Sequence, residues 1–420
     1  MTTSQCPAAQ LAENFDFTDP RVRQNPPAVW AELRKGPPRW AEGHGGHWVV
    51  SRYEDVKAVV DNPAAFCSSK GTPFPPTGFP VPLPPSEADP PEHAQWRKLT
   101  APFFTSKALA RFEETIREVT RNRLALFVSD GRADLSHDLA MHVPANVIAE
   151  IMGFPRSDAT WFAEITDRML TTAEQPELAD ENARIGMDLM GYLARHLEER
   201  RTHRRADLLS DLAHGQVGGR DLTTEEMLGV AFFFLIAGHE TTVGGITSLL
   251  WRLGMNRDQR ERLLADRSLL RGAIEEGLRI DSPVLHLSRV VSEDIEFSGA
   301  HMKAGDRLMV IYAAANRDDD VFAEAERFQI ERPNTNRHVA FSTGIHKCQG
   351  ASLARLEIRI VLEEVLDTIP DYQVVTDGVR FRSVQGVQSV AALPVTFTPP
   401  APRESAPSGP DGPESLRRPS

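Results

Sequence analysis

The chain has 420 residues, 41% hydrophobic and 25% charged; this is ordinary globular usage and excludes a wholly disordered chain, a collagen-like repeat and a coiled-coil rod. Its 47 Lys and Arg against 59 Asp and Glu leave a net charge of −12, so no nucleic-acid partner is expected. Three cysteines, Cys6, Cys67 and Cys348, are too few and too scattered for a disulfide framework and fit a reducing compartment.

In chain order, the first residues show no basic segment followed by an apolar run, so neither a signal peptide nor an anchor is expected. Residues 40–50 are punctuated by Gly and end in Trp48-Val49-Val50, predicting a short hairpin, and 53–61 take a helical period. Residues 70–91 hold nine prolines, with Phe74 and Phe79 among them, and predict a long irregular loop. Helix dominates 93–213, notably 107–127, 133–152 and 182–204. Thr223, with Glu226 three residues on, forms a capping box that opens a long buried helix reaching about residue 253. Its apolar run, 227–238, is twelve residues, short of the ~20 a membrane span needs, so a cytoplasmic protein without membrane contact is expected. A helical stretch at 257–279 precedes β-like runs at 287–291, 295–297 and 308–312. A helix at 350–367 and strands near 372–375 and 393–397 follow. Residues 399–420, with seven prolines, read as a disordered tail. No linker divides what precedes it, so residues 1–398 are expected to form one large domain, mainly α with small β-sheets.

Four local patterns carry chemistry. The loop 341–350 delivers Cys348 to the start of an amphipathic helix, where free amides favour a thiolate; by residue type alone a buried structural cysteine is the commoner reading. Within the long helix, Ala237-Gly238-His239-Glu240-Thr241-Thr242 sets an acid beside an alcohol on an otherwise apolar run. A small Gly there would admit a planar ligand and the pair would relay protons; a kink with a solvated Glu fits equally. Glu276 and Arg279, three apart, read alone as a surface ion pair, and His93 and Arg97, four apart, as a wet helix face.

Taken together and in this order, the four pieces resemble the cytochrome P450 family over nearly the whole chain to about Phe397. The family's ligand loop FxxGxxxCxG is matched by Phe341, Gly344, Cys348 and Gly350, its acid–alcohol helix by Ala237 to Thr242, its ExxR pair by Glu276 and Arg279, and its meander arginine by Arg332. The chain departs from the pattern at Ser342, where Gly is usual, at Gln349, where an apolar residue is usual, and at Glu240, where many relatives carry Asp.

The resemblance implies a single haem-thiolate domain binding haem b (iron protoporphyrin IX) with Cys348 as the iron ligand. Ala237 and Gly238 then lie against the cofactor, while His93, Arg97, Arg289 and His346 fall where the family binds the haem propionates. It implies a monooxygenase that spends two electrons and two protons on dioxygen to hydroxylate or epoxidise a small, largely apolar molecule, in specialised metabolism or in terpenoid or aromatic catabolism. Thr241 would hold a hydrogen bond to the reacting oxygen and Glu240 would feed protons from solvent. Phe74, Phe79, Phe233, Ile236, Val284 and Leu285 are the expected pocket wall. A separate ferredoxin and ferredoxin reductase are the expected electron donors, docking near Lys347 and Arg355. Oxidative coupling, desaturation or peroxide-driven oxidation at the same haem is the nearest alternative reading, and a haem-binding sensor a distant one.

Overall fold

A computed structural model describes residues 6–75, 81–173 and 175–400 of the chain. Phe79 and most of the Pro-rich tail lie outside these residues.

The fold is organised around the helix Thr224–Met255, 32 residues long. Its start is fixed as the capping box predicts: the Glu226 amide donates to Thr223 Oγ1 at 3.2 Å, and the Thr223 amide to Glu226 Oε2 at 2.8 Å. By length and composition this helix passes for a membrane span, yet most of its apolar window is buried by neighbouring elements, as in the core helix of a globular fold. Helices His142–Met152, Leu270–Ile280 and Ala351–Thr368 pack on it, as does the hairpin Arg380–Val384/Val387–Ala392. Two adjacent glycines permit this approach: a Cβ on Gly245 would stand 2.9 Å from Ile358 Cδ1, and one on Gly244 would stand 2.5 Å from the Gln388 carbonyl oxygen.

A five-stranded sheet lies to one side, in the order Arg39–Ala41, His47–Val50, Arg307–Val310, Leu287–Val291, Phe66–Cys67. The predicted hairpin at 40–50 is its edge, and Leu308 pairs with Trp48 on one side and with Arg289 on the other.

Several expectations need correcting. The stretch 133–152 is not one helix: Arg132–Asp134 pairs as a strand with Pro394–Thr396, a π-helical turn Leu135–Ala140 follows, and the α-helix begins at His142. The 257–279 stretch splits into Arg257–Ala265 and Leu270–Ile280, separated by Asp266, whose side chain caps the intervening turn. The C-terminal hairpin was not foreseen; its turn residues Gln385 and Gly386 have φ of 49° and 81°, as a two-residue hairpin loop requires.

Candidate active site

The cysteine loop is built by short-range hydrogen bonds. The Cys348 amide donates to the Phe341 carbonyl at 2.8 Å, the Lys347 amide donates to the Gly344 carbonyl at 3.2 Å, and helix Ala351–Thr368 starts three residues after the sulfur. Gly344 takes φ 64°, and a Cβ there would sit 2.9 Å from Asp61 Oδ1 and 3.0 Å from the Val60 carbonyl. Thr343 Oγ1 donates to the same Asp61 Oδ1 at 2.6 Å, so the loop is fastened to the end of helix Tyr53–Val60. Ser342 takes φ 56°, the left-handed region in which Gly is cheapest, and this explains why its substitution for Gly is unusual.

Burial of the sulfur raises the Cys348 pKa, although the residue as a whole is exposed. The amides of Gly350 and Ala351 and the charges of Arg97 and Arg355 pull the other way, toward a thiolate.

Beside this loop four basic groups from three elements converge. His93 and Arg97 come from helix Glu92–Thr100, Arg289 from strand Leu287–Val291, and His346 from the turn before the cysteine. The rings of His93 and His346 lie 4.3 Å apart; His346 Nε2 meets Ser68 Oγ at 3.2 Å, and Arg97 Nη1 donates to the Lys347 carbonyl at 2.8 Å. Burial, with repulsion from Arg289 and His93, pushes His346 down to about 3. Asp89 opposes this, but its oxygens already accept from the amides of Ser68 at 2.8 Å and Ser69 at 3.0 Å. His93 Nε2 is buried without a partner among the described residues. Two guanidiniums and two imidazoles, one with an orphaned nitrogen, fit a dianionic ligand whose carboxylates complete the cluster, and the two propionates of haem b meet that requirement.

On the long helix Phe233, Ile236, Ala237 and Thr241 form a stripe of half-buried side chains among buried neighbours, the spacing of one helix face. Thr241 Oγ1 donates to the Ala237 carbonyl at 2.7 Å, and Thr242, buried, makes a longer 3.3 Å bond to the Gly238 carbonyl. Gly238 does not open space for a ligand as expected: a Cβ there would stand 3.2 Å from Ile148 Cδ1, so its smallness serves helix packing. Glu240 is buried, and its Oε1 accepts from Ser389 Oγ at 2.7 Å and from Arg382 Nη2 at 3.1 Å. Arg382 reaches on to Asp167 Oδ1 at 2.7 Å and Thr171 Oγ1 at 3.3 Å on helix Ala159–Ala173. The acid is therefore held by the hairpin rather than solvated.

Val284 and Leu285 are half-buried, pinned to the hairpin by the Leu285 amide donating to the Gly386 carbonyl at 2.7 Å. Phe74 is not a wall residue. It is fully buried, its ring centroid 4.5 Å from that of His47 and 5.7 Å from that of Phe17, in the core against the sheet.

Glu276 and Arg279 are both completely buried, overturning the surface reading of their spacing. Arg279 forks onto Glu276 at 2.7 and 2.9 Å, Arg332 Nε donates to the same carboxylate at 3.1 Å, and Arg279 Nη1 reaches the carbonyls of Asn316 and Ala325 at 2.7 and 2.9 Å. Arg355 is not a free docking charge either: its guanidinium forks onto Glu275 at 2.6 and 2.8 Å. The residues missed from sequence are Arg382 and Ser389; the alternation FRSVQGVQSV around a Gln-Gly turn was the available signal.

A family model for cytochrome P450 matches residues 177–369. A vitamin D(3) 25-hydroxylase of Pseudonocardia autotrophica is 34% identical over 402 residues, 92% of this chain and 97% of that protein. A steroid C26-monooxygenase of Rhodococcus jostii is 32% identical over 393 residues, 89% of this chain and 83% of that protein. Among solved structures, that of CYP109E1 from Bacillus megaterium in complex with corticosterone superposes with a TM-score of 0.78 at 32% identity, covering 90% of this chain and 99% of that one.

Proposed function

The chain belongs to the cytochrome P450 family, and from that premise we propose how its residues divide the work of a haem-thiolate monooxygenase. The enzyme uses haem b, receives electrons from redox partner proteins and oxidises a small organic molecule with dioxygen. Bound haem b supplies the dioxygen-activating chemistry, and a cysteine thiolate as its axial ligand favours O–O cleavage.

Cys348 is that ligand, within the turn shaped by Phe341, Gly344 and Gly350. The observation that carries this assignment is the basic cluster of His93, Arg97, Arg289 and His346 gathered beside an enclosed but reachable sulfur. These four hold the propionates. Ala237 lies against the cofactor face, while Glu276, Arg279 and Arg332 lock the scaffold behind the loop. Thr241 holds its proton on the Ala237 carbonyl and would turn the hydroxyl toward the reacting centre, and the Glu240 carboxylate, once swung free of Arg382 and Ser389, would take a proton from solvent and pass it on to Thr241. Residues 1–398 act as one catalytic unit.

Phe233, Ile236, Val284 and Leu285 favour an apolar substrate, and relatives named for vitamin D(3) and steroids support a polycyclic one. A ferredoxin, served by its reductase, delivers electrons beside Lys347, which is exposed next to the cysteine. Replacing Cys348 with Ser abolishes the thiolate-type ferrous carbonyl spectrum; an unchanged spectrum overturns the assignment. With isotopically labelled dioxygen, one labelled oxygen atom appears in the product of steroid turnover.

A further inference from the structure

Behind the cysteine loop lies an ionic network that the mechanism above does not use. Glu275, on helix Leu270–Ile280, is buried and receives a fork from Arg355 Nε at 2.6 Å and Arg355 Nη2 at 2.8 Å, the latter on helix Ala351–Thr368. His338 Nδ1 accepts from the Ala340 amide at 3.2 Å, which fixes the tautomer so that Nε2 donates to Glu275 Oε2 at 2.9 Å. Burial alone would raise the Glu275 pKa, yet Arg355 and His338 hold it down to about 2, so the carboxylate is firmly charged.

The network grips the ligand loop at both ends. The Arg355 guanidinium stacks over the Phe341 ring at 4.5 Å, and the His338 ring lies 6.0 Å from the same ring. Arg355 Nη1 also reaches the Ala351 carbonyl at 3.4 Å, just past the loop. Phe341 in turn carries the carbonyl that receives the Cys348 amide at 2.8 Å. The path from carboxylate to sulfur is thus Glu275, Arg355, Phe341, Cys348, each link a contact of hydrogen-bond or stacking range.

We propose that Arg355 is a positioning residue for the Cys348 sulfur, and that its pairing with Glu275 sets the electrostatic potential at the iron by balancing one buried charge against another. The proposal rests on Cys348 being the iron ligand. Its consequence is a difference in sign. Reduction of the ferric iron adds one electron, so a nearby positive charge favours the ferrous state and a negative charge opposes it. Removing Glu275's charge leaves Arg355 uncompensated and raises the reduction potential; removing Arg355's charge leaves Glu275 and lowers it. A purely structural pair, once broken from either side, loosens the same loop and moves the potential in one direction.

The test is a spectroelectrochemical titration of substrate-free, haem-loaded protein: parent, Glu275→Gln, Arg355→Gln and the double variant. The two single variants are expected to shift the ferric–ferrous equilibrium constant in opposite directions, each by about threefold to tenfold, with the double variant near the parent. Shifts of the same sign, or no shift in either, overturn the proposal. Should Arg355→Gln fail to take up haem, Glu275→Gln decides alone: a rise supports the proposal, and a fall or no change overturns it. A parent protein without the thiolate-type ferrous carbonyl spectrum would instead overturn the assignment of Cys348.

Discussion

Glu240 and Arg382 form a buried ion pair, 3.1 Å apart and 142 residues apart in sequence, that joins the long helix to the C-terminal hairpin. Among the described residues Arg382 Nε has no partner, and the guanidinium is held there through its two terminal nitrogens, one of which donates to Asp167 and Thr171. Replacing Arg382 with Gln strands the Glu240 carboxylate on Ser389 alone. The expected loss is about 3 kcal/mol, read from the denaturant midpoint of the haem-loaded protein. Combining it with Glu240→Gln recovers part of that loss; strictly additive losses would show that the pair has no energetic coupling.

Thr241→Ala removes the hydroxyl that now rests on the Ala237 carbonyl. Product formed per electron consumed is expected to fall several-fold while substrate binding, followed by the haem absorption change, stays near the parent. Thr242→Ala, at a buried position bonded to the Gly238 carbonyl, leaves that ratio unchanged. Equal effects of the two would remove Thr241 from the proton path.

Ser342 carries a side chain at φ 56°. Its Oγ meets the Tyr312 hydroxyl at a long 3.5 Å, which offsets little of the backbone cost. Ser342→Gly is therefore expected to stabilise the protein by about 1 kcal/mol, seen as a higher thermal midpoint, with the ligand loop unchanged in spectrum.

His286 is buried against the hairpin tip, where a Cβ on Gly386 would stand 2.8 Å from its ring, and Phe17 and Phe74 pack on it. Burial, with a smaller repulsion from His47, pushes it down to about 3. An unfolded chain protonates this ring below about pH 6.5 while the folded protein does not, so the unfolded state binds more protons and stability falls with falling pH. The contribution is complete above pH 6.5 and declines by about 1.4 kcal/mol per pH unit until the folded value is reached. His142, pushed down to about 4 chiefly by burial and then by Arg123, adds a second term of the same sign. Unfolding measured between pH 7 and pH 5 should show a shallower decline in His286→Asn than in the parent.

The cysteine loop was legible because the residues that mark it lie within ten consecutive positions, Phe341 to Gly350, and helix-terminal chemistry is local; its seat on Val60 and Asp61, far away in the chain, was not. The ExxR pair was legible as a pattern and misread as physics: a three-residue spacing says that Glu276 and Arg279 share a helix face, not that Asn316, Ala325 and Arg332 close over it. The restraint on Glu240 was invisible because it depends on the register of a hairpin whose partner helix lies far away in the chain. Gly238 and Phe74 were assigned to the cavity on residue type, and both were claimed by core packing against Ile148 and against Phe17 and His47.

The seat of Gly344 against Val60 and Asp61, with the Thr343 hydroxyl bonded across 282 residues of sequence, has a consequence for truncation. A chain trimmed past Asp61 keeps the entire signature and the sulfur, yet its turn has nothing to rest on. Both extremities must meet before the protein is able to grasp its pigment, so an amino-terminal deletion of this kind yields pale protein whose motif is intact.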